Sequence, residues 1–298
     1  MTAAPAPVKS VGCYDPLLED NRGGALLFAC ATRRIHSCME LTRRRQVALE
    51  RIDPYIMSGL EIGPLSRPLV DRRDGYRVKY VDHDGTEALK TRFADDPHVR
   101  PEDIPEIDFV IRNGAGPLDL INECFDYIIA SHVFEHVPNP IRWLQEMYAL
   151  LNPNGILSLV IPDRRFIFDI IRPQSSLGEW LESYYTGRQR PTFTNVFDQN
   201  YYWRQTDPAA AWAGTFNPWR FDAPKSKAET LWYAKLTLSQ SDYLDVHCNV
   251  VTDTEFAFLF SGLKDYDLTQ FTLLSLRPCE PNDIEFFVQL QKIANRQS

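Results

Sequence analysis

Between residues 55 and 162 short apolar runs alternate with longer segments of helical spacing. The short runs predict strands at 56–62, 77–82, 107–111, 125–131 and 155–161. The longer segments predict helices at 85–94, 116–123 and 139–151, the last stopped by Asn152-Pro153-Asn154-Gly155. Alternation of this kind predicts a parallel sheet with helices on both faces. The stretch after Gly63 is a poor helix, because Pro64 and Pro68 bracket it and Arg72-Arg73-Asp74-Gly75 ends it.

The flanks behave differently. Residues 1–10 are rich in Ala and Pro and predict disorder. Residues 33–52 predict a helix carrying Arg33, Arg34, Arg43, Arg44, Arg45 and Arg51, read as a solvated flank in preference to an anion-binding face. The region 174–235 breaks the rhythm and holds five of the six tryptophans, with no helix or strand period. It predicts an inserted aromatic cap, with a homodimer interface as the competing reading. A helix near 253–262 and strands near 268–276 and 284–290 follow, the strands forming an antiparallel edge hairpin.

The expected fold is therefore α/β: a Rossmann-like, doubly wound, mostly parallel seven-stranded sheet with an antiparallel edge hairpin and an aromatic-rich insertion. The expected parts are a tail and basic helix (1–54), a cofactor-binding core (55–173), the cap (174–235) and the closing part of the core (236–298).

Composition narrows the function classes. A chain of 298 residues with 44% hydrophobic content suits one core domain with additions. Its 32 basic and 40 acidic residues leave a net charge of −8, which disfavours a nucleic-acid partner. Six scattered cysteines (13, 30, 38, 124, 248, 279) form no CxxC pair, so they read as reduced thiols and predict no metal site. The run Ala25–Ala31 is too short and too late for a leader, and no run suits a membrane span. A soluble, cytoplasmic protein with no membrane partner is expected.

Candidate chemistry begins at GLEIGPLSRPL (59–69). An apolar run ends there in a glycine, and the next apolar run ends in Asp82, 19 residues after Gly63. This is the form of a nucleotide-binding βαβ unit, whose second strand offers a carboxylate to a ribose. In an open parallel sheet ligands bind beyond the carboxyl ends of the strands. The residues there are Glu61 to Gly63, Asp82, Asp108-Phe109 and Ser131-His132, followed by Glu135-His136.

This ordering resembles the class I S-adenosylmethionine-dependent methyltransferases, nearest to the type 11 methyltransferase domain. The matching text is LEIGP (60–64), YVDHD (80–84), IDF (107–109) and FDYIIASHVFEHVPNPIRWLQEMYALLNPNGILSLVIPD (125–163). The resemblance implies S-adenosyl-L-methionine as cofactor and a small-molecule or sugar-containing acceptor methylated on O or N. It implies Glu61 and Gly63 beside the methionine part, Asp82 at the ribose, and Asp108 and Phe109 at the adenine, with Pro64 and His83 also among the cofactor-binding residues. Ser131 and His132 would lie beside the sulfonium. The family's first loop commonly reads E/D-x-G-x-G-x-G, and here it has one glycine. A noncatalytic methyltransferase-like binding or partner subunit is therefore the alternative.

Transfer from a sulfonium asks for positioning and removal of one proton, and histidine, with an ordinary pKa near ~6.5, suits the second task. The candidates are His132, His136 and His247, with Asp163 as a carboxylate alternative. Each also has a plain structural reading: Glu135-His136 capping a loop through backbone bonds, and His247 as a core histidine in a strand-like run. The stretch His132-Val133-Phe134-Glu135-His136 also matches H-x-x-E-H, which would suit a zinc hydrolase. Pro138 leaves that motif barely one helical turn. A NAD-linked oxidoreductase would need a fuller G-x-G-x-x-G after the first strand, which is missing.

Overall fold

The run FDYIIAS forms strand β4 (Phe125–Ser131), the middle member of a seven-stranded sheet. The computed structural model describes residues 43–111, 116–239 and 243–294; the tail, residues 33–42 and three of the cysteines lie outside these. To one side of β4 run β1 (Gly59–Ile62), β2 (Val78–Asp82) and β3 (Phe109–Val110). To the other run β5 (Leu151–Pro162), β7 (Glu285–Gln291) and β6 (Thr272–Arg277). Strands β1 to β5 are mutually parallel, and β7 is antiparallel to both β5 and β6. The chain order reverses between β1 and β4, which places a ligand crevice at their carboxyl ends.

Period-two alternation sorts the strand side chains into two cores. Ile128, Ala130, Leu157, Leu159, Phe286 and Val288 face helices α3 (Pro140–Leu150), α4 (Leu177–Tyr185) and α8 (Asp253–Asp265), with Trp143, Trp180 and Phe256 sealing the layer. Each buried Ile, Leu, Val or Phe side chain among them contributes on the order of 1.5–3 kcal/mol through burial. Tyr127, Ile129, Val160 and Phe287 face the other way, onto helix α1 (43–48), Ile52 and the loop at Leu69-Val70. Both faces are thus covered, though the second carries little helix. Two buried polar groups on that face find backbone partners: Ser158 donates to the Ala48 carbonyl, and Gln289 to that of Glu50.

Helix α3 starts at Pro140 behind the Asn139 cap and ends where the chain passes directly into β5. The Asn152–Gly155 turn survives as an irregularity: the β4–β5 register jumps from Phe125↔Leu151 to Tyr127↔Ile156, and Asn154 holds φ +66°. Helix α2 (Thr86–Arg92) follows β2. The loop after Gly63 forms only the short turn Arg72–Asp74, in line with its prolines.

Two expectations need correction. The helix expected at 116–123 is a single turn, Pro117–Asp119, because the Asp119 carboxylate accepts from the Gly116 N–H and closes the chain on itself. The region 174–235 is helical, with α5 (Phe193–Tyr202), α6 (Pro208–Trp212) and α7 (Lys227–Ser239) following α4. Its starts are capped by Ser176, Thr192 and Asp207, and Phe193, Phe197 and Tyr201 stack as an i, i+4 ladder along α5. Among the described residues, no helix is long and apolar enough to cross a membrane.

Candidate active site

Gly63 leaves β1 with φ +64°, in the left-handed region, and its N–H donates to the Val81 carbonyl at 2.9 Å. A Cβ there would lie 3.1 Å from Val133 Cγ2, so the loops leaving β1 and β4 meet at this glycine. Leu65 also holds a positive φ, +42°, which keeps the loop tight without a second glycine. Glu61, buried, fastens the loop from within: its carboxylate accepts from the N–H groups of Leu69 (2.7 Å) and Val70 (2.9 Å). Burial outweighs these bonds and pushes Glu61 up to about 7. Glu61 thus braces the loop from inside.

Asp82 ends β2 almost wholly buried. The His83 N–H donates to its Oδ1 at 2.7 Å, and His83 Nδ1 lies 2.6 Å from the same oxygen. Burial pulls the His83 imidazole down, but the bond to Asp82 more than offsets this and raises it above its ordinary value. Asp108 and Phe109 do not join this group. Asp108 pairs with Tyr80, two residues short of the end of β2, where its carboxylate is held by Arg72 and accepts from the Tyr80 N–H at 2.8 Å. Phe109 packs on the core beneath Lys79.

Ser131 and His132 close β4. His132 takes φ +53°, strained for a residue with a Cβ, and its N–H donates to the Val160 carbonyl. This turns the ring across β5 to Glu285, with Nε2 2.7 Å from Oε2. Arg44 of α1 reaches the same place, donating to Ser131 Oγ at 2.6 Å and pairing with Glu285 Oε1 at 2.8 Å. Burial would raise Glu285, but Arg44 first and then His132 hold it below the ordinary carboxylate range. Over its described part the basic helix also pairs with acids of this chain: Arg43 with Glu280 and Asp283, and Arg45 with Asp74. A shallow groove beside it is lined by Arg43 and Arg277, which already pair with acids, and lies beside the edge hairpin.

The next turn, Phe134–His136, is one short 3-10 turn, so H-x-x-E-H does not form the helix a zincin requires; His132 pairs through Nε2 with Glu285, and its Nδ1 lies 3.6 Å from Glu135 Oε1. The segment around His247 is irregular rather than a strand. It is zipped onto this turn, with the N–H groups of Cys248 and Asn249 donating to the Glu135 carbonyl and the Asn249 amide donating to those of Phe134 and Val137. His247 is buried, with Nδ1 2.6 Å from Asp169 Oδ2. Burial would raise Asp169, but His247 and then Arg172 hold it low. His136 Nδ1 lies 2.7 Å from Asp245 Oδ1. Asp163, fully buried, is consumed by Arg165 and the loop backbone.

Gly63, Asp82, His83, Ser131 and His132 thus lie at the carboxyl ends of the neighbouring strands β1, β2 and β4. A family model described as a methyltransferase domain matches residues 28–226, more than half of the chain. The chain belongs to the methyltransferase domain family. Among solved structures, the methyltransferase is similar to an S-adenosylmethionine-dependent methyltransferase from Methanosarcina mazei (17% identity, 81% of this chain and 94% of that one, TM-score 0.40). It is similar also to the N-methyltransferase NodS from Bradyrhizobium japonicum, solved with S-adenosyl-l-homocysteine (10% identity, 86% of each chain, TM-score 0.39). No curated protein matches the chain.

Sequence reasoning passed over Arg44, Asp169 and Glu285. Glu285 was within reach: an antiparallel strand starts at the end where its parallel neighbours finish, so an acid opening β7 lands beside the β4 terminus.

Proposed function

We propose that this methyltransferase acts on an oxygen or nitrogen of a small-molecule or sugar-containing acceptor, with His132 as general base. The observation that carries the reading is the His132–Glu285 pair at the end of β4, beside the Gly63 turn. A carboxylate on one ring nitrogen fixes the tautomer and orientation of the imidazole and steadies the cation formed when the other takes a proton. His247 and Asp163 are buried and already committed to Asp169 and Arg165. His132 is part exposed.

The residues fit the cofactor. When bound, S-adenosylmethionine supplies a methyl group already activated on sulfur. Gly63 offers a backbone that can approach a ligand closely, with Pro64 continuing the turn. Asp82 receives both His83 contacts on Oδ1, which leaves Oδ2 for a ribose hydroxyl. Ser131 and His132 flank the crevice from β4. The helical insertion would cap the acceptor: Trp212 stacks on Phe166 at 4.2 Å and donates to the Asp283 carbonyl, tying the insertion to the same end of the sheet.

The test is titration with S-adenosylhomocysteine, followed by assay with methyl-labelled cofactor against hydroxylated, amino and glycosylated small molecules. Micromolar binding, on the order of −8 kcal/mol, and a labelled acceptor are expected. Binding without transfer to any acceptor would favour the noncatalytic subunit, and absent binding would remove the reading.

A further inference from the structure

We propose that Glu135, His136 and His247 form a binding site for one divalent cation of the zinc class. Each offers one ligand atom, and these atoms lie within 4.8 Å of one another. Tetrahedral bonds of ~2.1 Å set ligand atoms roughly 3.4 Å apart, so the cluster closes by about 1 Å or a little more on binding. Two imidazoles and one carboxylate select zinc, cobalt or iron(II) over magnesium or calcium, which prefer oxygen alone.

Two observations independent of the spacing point to a ligand. Glu135 is 1% exposed, yet neither carboxylate oxygen accepts a hydrogen bond from a described residue. The ring nitrogens His132 Nδ1 and His136 Nε2 lie 3.6 and 3.8 Å from its Oε1, beyond hydrogen-bond reach. A buried carboxylate in that state is costly, and a cation at the cluster centre removes the cost. The second observation is the outer layer. Each histidine has a carboxylate on Nδ1: Asp169 at 2.6 Å from His247 and Asp245 at 2.7 Å from His136. His136 turns Nε2 toward Glu135, 3.8 Å from Oε1, and both histidines show the carboxylate–histidine arrangement that orients metal-bound imidazoles.

This site differs from the zinc-hydrolase reading of 132–136. It omits His132, which is turned to Glu285, and recruits His247 from more than a hundred residues downstream. The bonds from Cys248 and Asn249 to the Glu135 carbonyl hold the two segments together. Three protein ligands leave at least one coordination position for water or an acceptor oxygen.

The experiment is cobalt(II) and zinc(II) titration of the full chain after chelation, read by calorimetry and by cobalt absorption, with metal content of untreated protein measured in parallel. One equivalent is expected, with micromolar or tighter affinity and cobalt bands of nitrogen–oxygen ligation. Glu135→Gln and His247→Ala should each weaken binding at least tenfold. The outer-layer variant Asp169→Asn should weaken it less, while the control His98→Ala leaves it unchanged. S-adenosylhomocysteine binding by each variant reports folding and tests the methyltransferase reading separately. Wild-type protein that binds S-adenosylhomocysteine but no equivalent of metal would overturn the proposal, as would metal binding indifferent to Glu135 and His247.

Discussion

His132 Nε2 lies 2.7 Å from Glu285 Oε2, although 153 positions separate the two residues in the chain. The contact exists because β7 runs antiparallel and opens where β4 and β5 close. Arg44 completes the arrangement from a third segment. A histidine held by a buried carboxylate at the end of β4 carries the catalytic proposal.

Replacing that histidine should separate binding from turnover. His132→Ala should lower kcat by about a hundredfold or more, the usual contribution of a general base. S-adenosylhomocysteine affinity should stay within about twofold. Glu285→Gln should lower kcat by a smaller factor and alter the pH–rate profile. Equal turnover in wild type and His132→Ala would remove His132 from the role.

Asp82 and Asp108 look alike in sequence and should behave differently. Losing a charge-assisted bond to a ribose costs about 1.5–3 kcal/mol, so Asp82→Asn should raise the Kd for S-adenosylhomocysteine roughly 10- to 100-fold. Asp108→Asn should leave Kd nearly unchanged and lower Tm instead, because that carboxylate serves Arg72 and the Tyr80 N–H. Calorimetry and thermal melts on the two variants decide it; the reverse pattern would reassign both residues.

At Gly63 a methyl group meets two obstacles, the left-handed backbone and Val133 Cγ2 at 3.1 Å. Gly63→Ala should cost about 1–2 kcal/mol in denaturant unfolding and weaken cofactor binding as well. A variant as stable and as tight-binding as wild type would show that this turn tolerates a side chain.

Glu61 makes stability depend on pH. Burial holds its carboxyl at about 7 in the folded state against an ordinary 4.5. The folded chain therefore keeps a proton that the unfolded chain has lost across that interval. Its contribution to stability falls as pH rises from about 4.5 to about 7, approaching about 1.4 kcal/mol per pH unit, and then levels off. Urea unfolding at pH 5 and pH 7.5 should show wild type losing stability relative to Glu61→Gln. Parallel pH dependences in the two proteins would count against a raised Glu61.

Much of the core was legible in the sequence because local patterns carry it. Strand β4 matches the expected 125–131, and the Asn139-Pro140 start of α3 is set by cap chemistry that needs no distant partner. The insertion was misread although its signals were present. Ser176-x-x-Glu179 and the 193, 197, 201 aromatic ladder have helical spacing, but the density of rings hid the period.

The sequence by itself determined the alternating strands and helices, the Gly63 turn, the acid at the end of β2 and the likeness to S-adenosylmethionine-dependent methyltransferases. These depend on backbone preference and on side-chain period within some twenty residues. Only the tertiary structure decided which polar groups meet. It moved Glu61 and Asp108 into structural bonds, gave His132 to Glu285, and brought His247 beside Glu135 and His136. The physical reason is that strand direction and register set the His132–Glu285 meeting and loop hydrogen bonds the His247 one, while the spacing of residues along one segment does not encode where a remote segment lands.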